Sequence, residues 1–181
     1  MVEALEASAT PYMLTGSLVS SMQGEPRSTH DMDFIVLLDD ESASGLWSAL
    51  RKIGGYIDEG AMRRAVRTKA MFNLIDSGSG TKVDFWLLTD SAFDESRFAR
   101  RHTERLLNLD IWVSTPEDTI LAKLQWGKLS GGSEKQFTDA LRVYELQHPS
   151  LDRVYLQEWV ESLDLQAEWG RLLDEAEPLD G

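Results

Sequence analysis

Apolar positions fall first into short unbroken runs and later into stripes three and four residues apart. Pro11 to Leu14 closes on Gly16 and predicts a short strand. Leu18 to Met22 has room only for a brief helix before the loop Gln23-Gly24-Glu25-Pro26. Asp31 to Leu38, ending Phe-Ile-Val-Leu-Leu, reads as a fully buried strand. Asp39-Asp40 then offers a cap for a helix that sets Leu46, Trp47, Leu50 and Ile53 on one side, and Gly54-Gly55 ends it. Residues 57–67 carry a helical turn or two, with Met62, Ala65 and Val66 on one side.

Lys69 to Asp76 and Lys82 to Leu88 are β-rich runs around Ser77-Gly78-Ser79-Gly80-Thr81, the pattern of an antiparallel hairpin. Phe93 to Arg101 is read as a basic helix and Leu106 to Val113 as extended chain. Thr115-Pro116-Glu117-Asp118 supplies an N-cap, a first-turn proline and first-turn acids for a helix to about Leu129. After Gly131-Gly132, Ser133-Glu134-Lys135-Gln136 has the form of a capping box for a helix to about Gln147. One or two further amphipathic helices are expected between Asp152 and Ala176. Strands and helices mix first and helices alone come last, so the expected class is α/β (α+β): a mixed sheet with flanking helices and a helical C-terminal portion. The expected division is residues 1–114 for the sheet and 115–181 for the helices.

Composition narrows the function. The 181 residues carry a formal charge of −13, and from Glu145 onward ten acids face two bases. Such a chain repels polyanions, so bulk nucleic acid is disfavoured as a partner, whereas a small nucleotide arriving with Mg2+ is compatible, the metal reversing the local field. There is no cysteine, which removes thiol catalysis and Cys-ligated metals. No run approaches a membrane span, and the start Met1-Val2-Glu3-Ala4-Leu5-Glu6 is acidic where a signal peptide is basic. A cytoplasmic protein without membrane partners is the expectation.

The chemistry concentrates between Gly16 and Asp33. Period-two geometry aims Asp31 and Asp33 at one face of a strand, where two carboxylates can share a cation. The Gly16 backbone and Ser17 hydroxyl, at the start of a short helix, suit an anion. Asp84, between Val83 and Phe85, would join the acid pair if its strand lies beside Asp31–Leu38. Three such carboxylates call for a cation or a strongly raised pKa. The third acid would bridge an incoming hydroxyl and a metal, or take the hydroxyl's proton. A lone Asp-x-Asp is more often a solvated strand end; the glycine-serine turn and Asp84 are what lift this one above that.

These residues resemble the nucleotidyltransferase superfamily built on the DNA polymerase β fold. Its signature is hydrophobic-Gly-Gly/Ser, nine to thirteen residues, Asp-hydrophobic-Asp/Glu-hydrophobic, and a later hydrophobic-flanked Asp. Gly16-Ser17, Asp31-Met32-Asp33-Phe34 and Val83-Asp84-Phe85 fit it. Arg27-Ser28-Thr29-His30-Asp31-Met32-Asp33 further resembles the abortive-infection toxin type, as does a helical Lys123 followed by Asp139 on the next helix. Thr15-Gly16-Ser17-Leu18 stands where that group usually has Gly-Gly-Thr.

The resemblance implies a Mg2+- or Mn2+-dependent nucleotidyltransferase that moves a nucleoside monophosphate from a nucleoside triphosphate to a hydroxyl on a small molecule, a protein or an RNA end. Asp31, Asp33 and Asp84 would be catalytic and metal-binding; Gly16, Ser17, Arg27, Thr29 and Lys123 would bind the nucleotide. Two other readings stand beside it. One is a non-catalytic or regulatory member acting through a protein partner, such as a toxin–antitoxin component. The other is a metal-dependent phosphohydrolase, weakened by the lack of a His-rich cluster.

Each supporting residue has a plainer alternative. Lys123 falls within the apolar arc of its helix, so it either meets a phosphate, snorkels, or pairs with an acid. Asp139, beside Val143 and Leu146, reads better as a structural partner of Lys123 or of a backbone amide. Arg27 sits in a Gly/Pro loop where most bases are simply solvated. Arg63, Arg64, Arg67 and Lys69 form a basic patch that suits a triphosphate or an acidic acceptor less well than water. His30, His102 and His148 lack ligand spacing, and the six tryptophans sit mainly at core spacings.

Overall fold

A computed structural model of the chain describes residues 1–177 apart from 30, 77, 79 and 107. These form two compact units, one of Met1–Thr15 with Thr29–Val113 and the other of Gly16–Ser28 with Ser114–Gly181. The second thus takes Gly16–Ser28 as well, a stretch that sequence order places with the sheet. Among the described residues no helix is long and apolar enough to cross a membrane.

The first unit is a seven-stranded mixed sheet with helices. In chain order it runs α1 (Val2–Ala7), β1 (Tyr12–Thr15), β2 (Asp31–Val36), α3 (Ala43–Lys52), β3 (Tyr56–Ile57), α4 (Glu59–Thr68), β4 (Met71–Ile75), β5 (Lys82–Leu87), α5 (Ala92–Arg100), β6 (His102–Leu106) and β7 (Leu109–Val113), with α2 (Gly16–Gln23) interposed in sequence after β1. The strand order is β3-β4-β5-β2-β1-β7-β6. Among the described residues only β2/β5 and β1/β7 are parallel. The expected hairpin is present as antiparallel β4/β5, though Ser77 and Ser79 of its turn lie outside the described residues.

Period two divides the strands into two faces. On one, Phe34 stacks on Phe85 and Phe85 on Phe72, with Tyr12 edge-on to Phe34. All four are buried, as are Leu5, Leu46, Leu50 and Met62 from α1, α3 and α4. On the other face Met13, Ile35 and Phe98 of α5 cluster with Trp86 and Leu88. Two residues further along β1 and two back along β2 and β5, this second face turns polar.

Three local expectations are corrected. Asp39 does not cap α3 directly: the N-cap is Ser42, and Asp39 accepts from the Ser42 N–H at 2.7 Å and its hydroxyl at 2.6 Å. Ser133 is the N-cap of α7 (Glu134–Gln147) but its side chain makes no cap bond, so the capping box does not form. The extended run before residue 113 is a whole hairpin, β6/β7.

The second unit packs α2 with α6 (Pro116–Leu129), α7, α8 (Arg153–Ser162) and α9 (Gln166–Glu175). Thr115 caps α6 as predicted, accepting from the Asp118 N–H. The first-turn acids do more than favour the helix dipole: Asp118 is buried and accepts from Tyr155 Oη at 2.6 Å, and Glu117 accepts from the Asp152 N–H at 2.9 Å. Two first-turn carboxylates thereby fasten the start of α8. Helix α2 is tied in by Gln23, which donates to the Ser114 carbonyl, and by Gln147, which donates to the Gln23 carbonyl. At Gly24 a Cβ would stand 2.9 Å from both Ser20 O and Val143 N, so only glycine allows α2 this close to α7.

Candidate functional site

The predicted residues form two clusters, one in each unit. In the sheet unit the register of β2 against β5 sets Asp31 beside Lys82 and Asp33 beside Asp84. Lateral neighbours on adjacent strands share a face, so these four side chains are the corners of one patch. The row extends sideways, because β1 pairs Thr15 with Asp33 and β4 pairs Asn73 with Asp84. Thr15, Asp33, Asp84 and Asn73 thus make a polar line across four strands, directly beside the apolar row Met13, Ile35, Trp86 and Met71.

Burial deepens along the acids. Asp31 is exposed, Asp33 is half-buried and Asp84 is buried at 9 % exposure. Lys82 Nζ donates to Asp84 Oδ2 at 2.8 Å. That hydrogen bond, followed by the fields of Asp84, Asp31 and Asp33, holds the Lys82 ammonium above its usual range. The other oxygen, Asp84 Oδ1, is buried with no hydrogen-bond partner. A buried carboxylate oxygen without a donor is a site for a cation. As placed, however, no three His, Asp or Glu side chains among the described residues converge closely enough to hold a metal ion. The donor chemistry fits a divalent cation; the ammonium is what Asp84 holds instead.

The second cluster lies in the helical unit. Gly16, at φ 71°, opens α2 in the left-handed region that favours glycine. Arg27 grips Asp139 through Nε at 2.9 Å and Nη2 at 2.7 Å, and the same Nη2 donates to Ser17 Oγ at 2.8 Å. Lys123 Nζ donates to Asp139 Oδ2 at 2.8 Å and reaches Ser17 Oγ at 3.4 Å. Lys123 and Asp139 are both buried. Two cations against one carboxylate leave an excess positive charge. Ser17 Oγ accepts twice, so its own O–H is left to donate. Excess cation beside an outward-donating hydroxyl suits an anion.

Burial pushes the Asp139 carboxyl up, but the hydrogen bonds from Arg27 and Lys123 together outweigh it and hold the group below the usual carboxylate range. The same bond raises the Arg27 guanidinium.

Thr29 belongs to the sheet unit, and its hydroxyl donates to the Asp31 carbonyl at 3.4 Å; it is not among the cationic side chains. His30 lies outside the described residues. His102 pairs with Glu104, and His148 meets the Tyr144 ring edge-on. The basic patch is dispersed: Arg63 pairs with Glu59, Lys69 approaches Asp90 at 3.9 Å, and Arg64 and Arg67 line an open hollow of about 380 Å³ with Ala61 and Met71. The tryptophans are corrected too. None is fully buried, and Trp112 and Trp126 are exposed, because so large a ring sits more readily at the rim of a small core. Lys82 is the residue that sequence reasoning passed over. Its signal was available: two positions before Asp84 on a strand is the same face.

No family model matches the chain, and no curated protein sequence matches it. Solved structures do. The complex of ANT(2'')-Ia with adenylyl-2''-tobramycin is similar at a TM-score of 0.57 and 11% identity, covering 90% of this chain and 92% of the other. The lincosamide antibiotic adenylyltransferase LnuA, lincomycin-bound, gives 0.54 and 16%, with coverage of 80% and 92%. An antigenic nucleotidyltransferase-like protein from Paracoccidioides brasiliensis gives 0.53 and 17%, with coverage of 98% and 91%. The chain therefore has the fold of nucleotidyltransferases.

Proposed function

We propose that the protein transfers a nucleoside monophosphate from a nucleoside triphosphate to a hydroxyl acceptor, releasing pyrophosphate. The observation that carries this is the β2/β5 register, which brings Asp33 level with Asp84 and keeps Asp31 on the same face. Asp31, Asp33 and Asp84 are the acids that would hold Mg2+ or Mn2+, and the orphaned Oδ1 of Asp84 supports that use. Held there, a divalent ion would supply charge neutralisation at the reacting phosphate. Asp84 orients the acceptor hydroxyl and takes its proton as the oxygen attacks the α-phosphorus. Gly16, Ser17, Arg27, Thr29 and Lys123 are assigned to the nucleotide: the Ser17 O–H donates to a phosphate oxygen, while Arg27 and Lys123 offset its charge.

A small-molecule hydroxyl acceptor is favoured. The net charge of −13 disfavours a polyanion, and two of the similar structures hold an antibiotic or an adenylylated antibiotic. The abortive-infection branch is supported by Arg27, Lys123 and Asp139, three residues of that pattern, of which the two cations both donate to the acid.

The test is incubation of the full chain with each α-labelled nucleoside triphosphate, Mg2+ and pooled hydroxylated small molecules. Pyrophosphate and a labelled adduct are expected, both lost in Asp33→Asn and Asp84→Asn. Inorganic phosphate as the product would make the protein a phosphohydrolase. Absence of nucleotide binding and of pyrophosphate with all four nucleotides would overturn the enzyme reading.

A further inference from the structure

Among the side chains of the sheet patch, Lys82 is the one the proposed reaction leaves without a role. It is the fourth corner of the acid quartet, level with Asp31 and on the same strand as Asp84. Its ammonium takes up one oxygen of Asp84, while the second oxygen of that carboxylate is buried without a donor. The two partners differ sharply in exposure: the Lys82 side chain is 41% exposed and that of Asp84 12%. A four-carbon stem at that exposure can swing its charge into water with little loss, whereas the Asp84 carboxylate must keep some cation beside it. A divalent ion at Asp84 Oδ1 would stand close to the ammonium held on Oδ2, and two cations at such separation repel.

We propose that Lys82 is the resident counter-cation of the Asp31/Asp33/Asp84 patch: it holds Asp84 in the metal-free protein and is displaced by a divalent cation, so that it sets how tightly the patch binds metal. The inference rests on reading those three acids as the metal acids. It accounts for two observations together. The acids share one face, and yet no three of the described carboxylates converge on a point, because the most buried of them is bonded to an ammonium. Removing the lysine charge takes a repelling cation from the neighbourhood of an incoming divalent ion, which at such separations is worth about tenfold in affinity.

The measurement is Mn2+ binding to the full chain without nucleotide, read from the electron paramagnetic resonance of free Mn2+. Unmodified protein, Lys82→Met, Lys82→Arg, Asp84→Asn and the double variant Lys82→Met/Asp84→Asn are compared after circular dichroism has verified folding. Lys82→Met is expected to bind about tenfold tighter. Lys82→Arg keeps the charge and is expected to match the unmodified protein or bind more weakly. Asp84→Asn should abolish binding in either background.

Equal or weaker binding by Lys82→Met, with binding still dependent on Asp84, overturns the counter-cation role while leaving the metal acids standing. Tighter binding by Lys82→Arg also overturns it, and serves if Lys82→Met does not fold. Binding indifferent to Asp84→Asn, or no binding by any variant, removes the metal reading and the inference with it.

Discussion

Lys123 and Asp139 form a buried ion pair at 2.8 Å, reached from adjacent helices α6 and α7. Arg27 joins it from the chain after α2, so that one carboxylate is the counter-charge to both cations. Asp139→Asn leaves two cations facing a neutral amide. It is expected to cost about 3 kcal/mol, since breaking a buried pair strands the charge that remains. Urea unfolding at pH 7 measures it.

The same pair has a pH signature. The folded Asp139 carboxyl lies below its unfolded value, so its contribution is fully present above the unfolded pKa of about 3.9 and is lost as pH falls through the lower folded value. Unmodified protein should therefore lose stability more steeply than Asp139→Asn on titration below about pH 4. Parallel acid-unfolding curves for the two proteins would contradict this.

Ligand affinity should separate charge from shape at Arg27. Arg27 makes three hydrogen bonds from one fork, two to Asp139 and one to Ser17. Arg27→Lys keeps the charge but cannot reproduce the fork. Loss of one charge-assisted contact corresponds to about tenfold or more in nucleoside triphosphate affinity, and Lys123→Met is expected to lose a similar amount. Calorimetric titration with Mg2+ and each triphosphate reads both; affinities unchanged in both variants would remove these side chains from the nucleotide.

The join between α6 and α8 rests on side chains far apart in sequence. Tyr155→Phe removes the 2.6 Å donor to Asp118 and should cost about 1–2 kcal/mol in thermal unfolding.

Two glycines predict opposite signs. Gly24→Ala drives a Cβ into two backbone atoms at 2.9 Å and should destabilise by about 2 kcal/mol. Gly45, within α3, has nothing within 4 Å of its would-be Cβ, so Gly45→Ala should stabilise by about 0.5–1 kcal/mol. Differential scanning calorimetry of the pair tests whether close approach or helix propensity governs each position.

What was readable in the sequence was whatever depends on neighbours. Asp31 and Asp33 share a face because strands have period two, and Thr115-Pro116 caps α6 because caps are local. Asp84 was readable one step further, since a hydrophobic-flanked strand has few places to go but the sheet interior. The burial of Glu117 and Asp118 was not, because their donors lie on Asp152 and Tyr155, more than thirty positions away. Strand β6, His102-Thr103-Glu104-Arg105-Leu106, carries almost no apolar signal: it is an edge strand and three of its side chains face water. The convergence of Arg27 and Lys123 on Asp139 spans both separations at once.

The helical unit is discontinuous, Gly16–Ser28 joining Ser114–Gly181 across strands β2 to β7, which lie between them in sequence. During synthesis, Ser17 and Arg27 leave the ribosome long before Lys123 and Asp139 exist to bind them. Helix α2 is too short to persist by itself. The anion-facing cluster therefore cannot assemble before α7 is made, and a nascent chain stalled after β5 would carry the three acids and Arg27 without Lys123 or Asp139.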